Sequence, residues 1–460
     1  MMWREYHEAT KHTVERIMGS RHFLDWENMP EPFRHYEGVP ELDLPSTAPA
    51  PEANALDVLG GNLGRANASG GGELLSQILF HSAAISATKA VPSMGYRYAL
   101  RVNPSSGNLH PTEFHFAARG LPEWPDGLYH YRASAHMAEQ RATGDYTMGH
   151  GALVFFLTSI AWREAWKYQV RAYRYCLHDM GHAAESLVLA ARACGYRSRI
   201  VAGFDDDQLA RMLGVEDEWP MLIVALEGVP RQDRSTAPRR FLGGTPNQLS
   251  ESQIAYPLID RIHVATKAPA ASDAVFSPAC VSGRSGADFA SVVRRRRSAL
   301  NFRGGSESIA RDQYETLISC ASNDLLTLYA YVHRVRDMEP GVYHAGGLLK
   351  PGDQRIAAAG LSLSQELAGN SCVTFSMIAD LERTSSLYGD RGYRYAFFEA
   401  GMIGQRLYIA SESMGFHSTG IGAFYDDAVL RYLDLAPSRG QVIYHFACGY
   451  AVKDDRISEQ

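Results

Sequence analysis

The sequence predicts an α+β protein in which two related units follow one another along the chain and pack as an intramolecular pseudo-dimer. The first observation is an ungapped internal repeat: residues 171–215 align with residues 391–435 at a constant offset of 220, with 14 of 45 positions identical. The second is an echo in the same order, GLYH from Gly127 against GVYH from Gly341, at an offset of 214. Chance similarity between two amphipathic helices explains this pattern poorly. Two related units in one chain pack most simply as a fused homodimer.

The repeat predicts the same pair of helices in each half. A long helix is expected over 173–194 and over 393–414, each followed by a glycine that favours a helix C-terminus. A short helix comes next, with aspartates at 205–207 and at 426–427 placed at its N-cap and first turn. We therefore interpret these aspartates as helix caps and first-turn charges rather than as metal ligands.

The apolar runs have the length of strands. Hydrophobic strands are expected over 221–226 and 442–447, after the second helix of each unit. The longest apolar run, residues 151–162, contains 12 residues, whereas a helix that spans a bilayer needs about 20. It fits a buried strand that leads into the next element. We therefore expect no membrane-spanning segment.

Stretches rich in Pro, Gly and Ser separate the predicted domains of the chain. Residues 229–285 contain many of these residues and predict a long connector with little core of its own. We expect a leader over 1–72, a first α+β domain over 73–228, this connector, and a second, related domain over 286–460.

Composition excludes several classes of protein. Hydrophobic residues make up 45% and charged residues 21% of the 460 residues, which is typical of a folded globular chain. The net charge of −6 provides no overall positive field, so nucleic acid is not expected as a partner. The six cysteines show no paired spacing and are expected to be reduced core thiols in a cytoplasmic protein.

One loop of the first half concentrates polar groups. In RVNPSSGNLHPTE, which begins at Arg101, Pro104, Ser105, Ser106 and Asn108 lie in a tight turn that offers hydroxyls, an amide and backbone N–H groups. Such a turn suits a planar, hydrogen-bonding ligand such as a flavin ring, although a turn alone explains the residues as well. The second half has CASNDLLTLYAYV in its place, so the feature is present in one half only.

An arginine run shows the opposite asymmetry. Arg296, Arg297 and Ser298 belong to RRRRSALNF, where four consecutive arginines indicate either a solvated basic face or a phosphate site. Arginine offers paired donors to phosphate, and Ser298 adds a hydroxyl or a backbone N–H. The first half has no such motif around its first predicted helix, ELLSQILFHSAA.

A lysine and a tyrosine precede the first long helix. Lys167 and Tyr168 correspond, at an offset of 220, to Leu387 and Tyr388, so the second half keeps the tyrosine and lacks the lysine. On its own, the pair also fits a surface lysine beside a half-buried tyrosine.

Together these motifs resemble the FMN-dependent nitroreductase superfamily. RRSALNF, PSSGN and the helix–Gly–loop–Asp-helix unit carry this resemblance. HEATKH, LDWENMPEPFRHYEG, NPSSGNLHPTE, GLYHY and WKYQVRAYRY are similar to its SagB/ThcOx-type dehydrogenase branch. The resemblance implies two tandem nitroreductase-like domains, each a central antiparallel-rich sheet flanked by helices, with FMN bound at the interface between them.

The resemblance also implies a composite FMN site. The first half would supply the residues of its polar loop, Pro104, Ser105, Ser106 and Asn108. The second half would supply Arg296, Arg297, Ser298, Thr419, Gly420, Ile421 and Gly422, together with Lys453 or Arg456. The family's usual arginine after the serine is Leu300 here, with Arg303 as a substitute. If each half has lost what the other retains, one complete site is left.

By the same resemblance, Lys167 would be the catalytic base and Tyr168 its partner in the oxidation of azoline-like rings in a peptide or related small-molecule substrate. Two alternatives remain open from the sequence. One is a general NAD(P)H-dependent nitro or quinone reductase, which needs no catalytic lysine. The other is a degenerate flavin-binding scaffold subunit of a peptide-modifying complex, suggested by the motifs that each half lacks.

Overall fold

Each half of the chain contributes one antiparallel sheet with a long helix packed against it. The computed structural model describes residues 1–92, 95–267, 276, 281, 283 and 285–459. The helices of the first half and the connector are α1 (Met2–Ala9), α2 (Val14–Met18), α3 (Ala55–Leu59), α4 (Gly71–Phe80), α5 (Ala161–Tyr168), α6 (Ala172–Ala193), α7 (Asp206–Leu213) and α8 (Pro257–Lys267). The helices after it are α9 (Phe289–Arg295), α10 (Arg311–Cys320), α11 (Arg355–Leu361), α12 (Glu366–Asn370), α13 (Leu381–Tyr388), α14 (Gly392–Ser413) and α15 (Asp426–Tyr432).

Most of the strands belong to two main sheets, and the others form two small ones. Those of the first half and the connector are β1 (Tyr36–Glu37), β2 (Glu41–Asp43), β3 (Ile85–Val91), β4 (Tyr96–Arg101), β5 (Thr112–Ala118), β6 (Gly127–Arg132), β7 (Met137–Thr143), β8 (Leu153–Ser159), β9 (Arg197–Val201), β10 (Trp219–Glu227), β11 (Arg240–Phe241) and β12 (Thr245–Pro246). Those of the second half are β13 (Leu326–Val332), β14 (Gly341–His344), β15 (Gly347–Pro351), β16 (Val373–Ala379), β17 (His417–Ile421), β18 (Gln441–Gly449) and β19 (Ile457–Glu459).

The two sheets repeat one strand order. The first runs β11-β7-β6-β5-β8-β10-β9, with β2 also paired to β7, and the second runs β15-β14-β13-β16-β18-β17. Across the sheets, β7-β6-β5-β8-β10-β9 therefore corresponds strand for strand to β15-β14-β13-β16-β18-β17. This architecture confirms the predicted fold, two α+β units with antiparallel sheets flanked by helices. The long helices lie within one residue of their predicted bounds, and the run at 151–162 forms β8 and the start of α5.

The long helices α6 and α14 cross in the middle of the molecule at two glycines. A Cβ atom on Gly181 would lie 2.9 Å from the Cα of Gly401, and one on Gly401 would lie 2.9 Å from the Cα of Gly181. Larger side chains at these positions would push the helices apart. The crossing therefore requires glycine on both helices.

Buried ion pairs are exchanged between the halves near the N-terminal ends of both long helices. Arg174 on α6 donates to Asp426 at 2.7 Å, and Arg171 joins it at 3.1 Å. In the mirrored arrangement, Arg391 and Arg394 hold Asp206 at 2.7 and 2.6 Å. All these side chains are nearly inaccessible to solvent. Each half thus supplies the carboxylate that neutralises the other half's arginines.

The prediction for the aspartates needs correction. Asp205 does cap α7, accepting the Gln208 N–H at 2.8 Å, but α15 begins after Tyr425, which makes no side-chain cap. Asp206 and Asp426 do lie in the first turns of α7 and α15, as expected, and there they are the buried partners of arginines. In the sequence, an aspartate near the start of a helix fits a cap as well as a buried ion pair, and only the packing of the other half distinguishes the two roles.

The connector contains a helix that sequence analysis did not identify. Helix α8 packs beside α1, and the HVATK motif at its end corresponds to the HEATK motif at the end of α1. Arg174 donates to the Thr10 hydroxyl at 3.0 Å, and Arg394 donates to the Thr266 hydroxyl at 2.9 Å. Helix α8 is therefore the second copy of the leader helix, and it contributes Ile259 and Ile262 to the core.

The C-terminal segment returns to the first half. Strand β19 pairs with β3, which in turn pairs with β4, so that strands of both halves form a separate three-stranded sheet. Among the described residues, no helix is long and apolar enough to cross a membrane.

Removing one of the exchanged carboxylates should strongly destabilise the fold. We expect Asp426→Asn to cost about 3–5 kcal/mol, because it leaves two buried guanidinium groups without a charged partner. Asp427→Asn is the matched control, since that side chain is 43% exposed and, among the described residues, pairs with Lys11 alone. It should cost less than about 1 kcal/mol. Urea unfolding measures both, and equal losses would contradict the account.

The pH dependence has a defined sign. Burial alone would raise the pKa of Asp426, but the charges of Arg171 and Arg174 outweigh it and hold the pKa below its ordinary value. The stability contributed by Asp426 is therefore present above its unfolded-state pKa, about 4, and is lost as pH falls below that value. The Asn variant should lack this part of the acid sensitivity.

Candidate functional site

Two adjoining cavities lie where the halves meet. The larger, of about 710 Å³, is within the range of small-molecule sites and is bordered by the first half's polar loop, the arginine run of the second half and the C-terminal segment. The smaller, of about 240 Å³, lies toward α6 and β17. Both are lined by Pro104, Ser105, Gly107 and Ser298, so they form one continuous candidate site.

The structure brings most of the sequence-predicted site residues together here. The larger cavity is lined by Pro104, Ser105, Asn108, Arg296, Arg297, Ser298 and Lys453. The smaller cavity is lined by Pro104, Ser105, Ser106, Tyr168, Ser298, Thr419, Gly420, Ile421 and Gly422. Lys167 and Arg456 line neither cavity.

Lys167 nevertheless lies beside the loop that borders both cavities. A Cβ atom on Gly107 would lie 3.0 Å from the Lys167 Nζ and 2.9 Å from the Tyr168 hydroxyl. The ammonium group is 5.4 Å from the centre of the Tyr168 ring. Helix α5 ends at Tyr168, which places both side chains against the turn. Glycine at position 107, where φ is +60°, leaves room for them.

The C-terminal cations are arranged differently from the prediction. Arg456 binds Asp454 at 2.7 and 2.9 Å and does not line the larger cavity. Lys453 lines the larger cavity but is 87% exposed and pairs with Asp455 at 2.8 Å. Asp454 also binds Lys89 of β3, at 2.7 Å. Asp454 thus links the C-terminal segment to the first half, and Asp454 and Asp455 are the carboxylate partners of Arg456 and Lys453.

The arginine run supplies two guanidinium groups without a counterion. Within the described residues, neither Arg296 nor Arg297 forms an ion pair, and the Nη1 of Arg296 and the Nε of Arg297 are buried without a hydrogen-bond partner. Their other nitrogens donate to backbone carbonyls, including Val102 O at 3.1 Å and Ser86 O at 3.0 Å. Burial and, after it, the charge of Arg296 lower the pKa of Arg297 to about 10. A bound anion would relieve both costs, so these residues fit a phosphate group.

The neighbouring positions differ from the family pattern. Leu300 lines the larger cavity with a side chain that is 54% exposed. Arg303 lines the same cavity and pairs with Glu307 at 2.9 Å. The substitute arginine is thus near the site, although it already has a carboxylate partner.

The hydroxyls of the polar loop are not free for a ligand. Ser105 Oγ donates to Asp179 at 2.6 Å, and Ser106 Oγ donates to it at 2.8 Å. The Ser106 N–H also points to this carboxylate, at 2.9 Å, and the Asn108 amide donates to Ala99 O at 3.0 Å. The expectation that the loop displays its hydroxyls therefore needs correction. Asp179 on α6 accepts them, and the loop is fixed in place.

An aromatic and imidazole wall, missed by sequence analysis, closes the smaller cavity. Tyr408 Oη lies 2.8 Å from Ser298 Oγ and accepts the Gly420 N–H at 3.1 Å. Tyr444 Oη lies 3.0 Å from His182 Nε2. At an offset of 220, the counterparts of Tyr408 and His182 are Val188 and Met402, and by strand register the counterpart of Tyr444 is Leu222, so all three are apolar. The presence of polar residues in one half where the other half has apolar ones was the signal by which the sequence could have identified this wall.

Glycines in the second half's loop make room for this wall. Gly420 lies at the end of β17, where a Cβ atom would overlap the Tyr444 hydroxyl. A Cβ atom on Gly422 would overlap the ring of Tyr175. The carbonyl of Gly422 accepts from both Arg171 and Tyr175, each at 3.2 Å. The loop is thus positioned by α6 of the opposite half.

A symmetric dimer would have a second, equivalent site, and we call the place where it would lie the mirror position. The structure assigns the first-half residues of this position differently from the sequence. Reciprocal bonds, Ala55 N to Ala287 O at 3.0 Å and Phe289 N to Ala53 O at 2.9 Å, make α3 the counterpart of α9. The positions that match the arginine run are therefore Asn62–Gly64, in GGNLG, and not the end of α4. Sequence analysis compared the arginine run with ELLSQILFHSAA, which forms α4, because α3 is short and lies in a loop-like stretch.

Other groups occupy the mirror position. Arg406 binds Glu185 at 2.9 Å and Glu399, the counterpart of Asp179, at 3.4 Å. The ring of Phe276, from the connector, lies 6.1 Å from that of Tyr395, the counterpart of Tyr175. A buried charge cluster and a connector residue thus lie where the complete site has its cavity-lining residues.

Comparisons with known proteins agree with the internal repeat. The nitroreductase family model matches residues 75–228 and again residues 293–450. A solved structure from Anabaena variabilis, described as a "putative nitroreductase", has a TM-score of 0.79 at 24% identity, covering 98% of this chain and 99% of its own. That likeness shows that the tandem fold occurs in another protein.

Curated relatives match shorter segments. "Putative nitroreductase MJ1384" of Methanocaldococcus jannaschii is 29% identical over 128 residues, 26% of this chain and 65% of the relative. The microcin B17-processing protein McbC of Escherichia coli is 29% identical over 154 residues, 29% of this chain and 56% of the relative. The chain thus spans less than two thirds of the length of either relative.

Proposed function

We propose that this chain, which belongs to the nitroreductase family, is an FMN-dependent dehydrogenase with one composite cofactor site, and that it oxidises azoline-like rings in a peptide or related small-molecule substrate. One observation carries the proposal. The polar loop of the first half, with Lys167 and Tyr168 beside its Gly107, meets Arg296 and Arg297 of the second half at two adjoining cavities.

The cavity residues fit FMN in two respects. Arg296 and Arg297 would hold the phosphate, since both have buried donor nitrogens without partners and guanidinium groups bind phosphate with paired hydrogen bonds. The polar loop and residues 419–422 would flank the flavin ring from opposite halves. When bound, FMN would supply the hydride acceptor, and the protein would supply orientation and electrostatics.

Lys167 would serve as the base. Oxidation of an azoline ring removes a hydride and a proton from the substrate, and Lys167 Nζ is the amine beside the loop that borders the cavities. The Tyr168 hydroxyl lies at the same glycine and lines the smaller cavity, where it would contact the substrate. The substrate class is supported by the similarity of the leader and loop motifs to the SagB/ThcOx-type branch and by the match to a microcin-processing protein.

The first test is cofactor stoichiometry. We expect about one FMN per chain, because the mirror position has Asn62, Leu63 and Gly64 in place of the arginine run and contains the Arg406 charge cluster. Flavin released by heat, measured against protein concentration, gives the ratio. A value near two would mean that the mirror position also binds FMN.

The second test addresses the phosphate contacts. Arg297→Ala combined with Ser298→Ala should weaken FMN binding at least about tenfold, since each charge-assisted hydrogen bond is worth roughly 1.5–3 kcal/mol. Leu63→Ala, at the position of the first half that corresponds to Arg297, is the matched control and should leave FMN affinity unchanged. Fluorescence titration measures both. Undiminished affinity in the arginine–serine variant would rule out this phosphate site.

The third test separates the enzyme functions. Lys167→Ala should retain FMN but lower turnover of an azoline-bearing peptide by about 10²–10⁴-fold, the usual effect of losing a positioned base. Reduction of a nitroaromatic by NADH should change little. Leu387→Ala, at the counterpart position, should affect neither activity.

Unaltered azoline turnover in the Lys167 variant would remove this residue from the mechanism. If the wild-type chain reduces nitroaromatics but does not oxidise azolines, the general reductase is the better description. If it binds FMN and does neither, the scaffold alternative is favoured.

A further inference from the structure

A second carboxyl group lies behind the one that anchors the polar loop. Glu164 on α5 is completely buried, and neither of its oxygens has a basic or hydroxyl hydrogen-bond partner among the described residues. Its neighbour is Asp179, to which the Glu164 carboxyl donates when it carries a proton. At an offset of 220, Glu164 corresponds to Thr384, so the mirror position lacks this acid.

The hydrogen bonds determine which of the two carboxyls is charged. Asp179 receives three donors from the loop: Ser105 Oγ, Ser106 N and Ser106 Oγ, at 2.6 to 2.9 Å. Only a carboxylate can accept from all three and from Glu164 as well. Two adjacent buried carboxylates would repel each other strongly, so Glu164 is the member that keeps its proton.

We propose that Glu164 and Asp179 share one proton and that this carboxyl pair is the positioning device that holds the polar loop in place for the cofactor. The inference rests on the proposed FMN site. It gives Glu164 a role through the loop, and Asp179, which also lines the smaller cavity, acts on the loop through its hydrogen bonds.

The surroundings of the pair favour a single negative charge. The other titratable groups that act on it are Lys167 and Tyr168 on α5, Tyr175 and Cys176 on α6, and Tyr444 on β18. Lys167 is the cation among them and favours the ionised form. Burial and the charge of Asp179 raise the pKa of Glu164, and burial lowers the pKa of both His178 and His182, which therefore stay neutral.

The arrangement makes cofactor binding sensitive to acid. Burial raises the pKa of Asp179 to about 6, against the opposing effect of the loop's hydrogen bonds. Below that pH, Asp179 gains a proton, one of its oxygens becomes a donor, and the loop loses an acceptor. FMN affinity should therefore fall as the pH falls through about 6.

The test is FMN affinity of the full-length chain at pH 7.5 and pH 5, measured by flavin fluorescence. At pH 7.5 we expect Asp179→Asn to bind FMN about tenfold more weakly, the loss of one charge-assisted hydrogen bond. Glu164→Gln keeps a donor toward Asp179 and should stay within about twofold of wild type. Glu399→Gln, at the mirror position of Asp179, is the matched control and should also stay within about twofold.

The pH dependence of flavin affinity separates protonation of the carboxyl pair from protonation of the FMN phosphate. The phosphate of FMN itself takes up a proton near pH 6, so part of any loss at pH 5 is common to all variants. Wild type should lose about tenfold more affinity than Asp179→Asn between the two pH values. Riboflavin, which lacks the phosphate, should show the same acid-induced loss on wild type without any substitution.

Two results would overturn the inference: riboflavin affinity that is constant between pH 7.5 and pH 5, or an Asp179→Asn variant with wild-type FMN affinity. If Asp179→Asn does not fold, the riboflavin measurement on wild type decides. Failure of the proposed function is a different result, since a chain that lacks the FMN site would bind neither flavin at any pH.

Discussion

The exchange of buried arginines and aspartates between the halves is the constraint on which the rest of the structure depends. A buried charge without a partner is costly, so each half needs the carboxylate that the other supplies. Asp426 lies four residues after Gly422, and Arg171, which binds this aspartate, also donates to the Gly422 carbonyl. The ion pair therefore holds a loop of the second half against α6 of the first. The candidate site is a consequence of that contact.

The fused pseudo-dimer explains why the two halves carry different motifs. In a symmetric dimer each of two equivalent sites needs every motif in both subunits. In one chain, a site can be completed with the polar loop from one half and the arginine run from the other. The opposite position has then become part of the core. Arg406 lies there between two glutamates, and Val188 and Leu222 stand where the complete site has Tyr408 and Tyr444.

The features predicted correctly are those with a local or repeated signal. Helices α6 and α14 are long, share an ungapped repeat and end at a glycine, so their bounds follow within one residue. The cavity-lining loops are recognisable because each occurs in one half only. Helix α8 was missed because its HVATK motif lies in a stretch rich in Pro and Ser, although the HEATK motif of the leader was its counterpart.

Other features depend on packing and have no local signal. The N-terminal position of Asp426 in α15 fits a cap as well as an ion pair across the interface. Ser105 and Ser106 were interpreted as ligand donors because the sequence does not show that Asp179, far along the chain, accepts their hydroxyls. The most direct test of the composite site is a crystal structure of the chain with FMN. The account predicts a single FMN, with its phosphate on Arg296 and Arg297 and its ring against residues 104–108 of the other half. An FMN bound within one half alone, or at the mirror position, would contradict it.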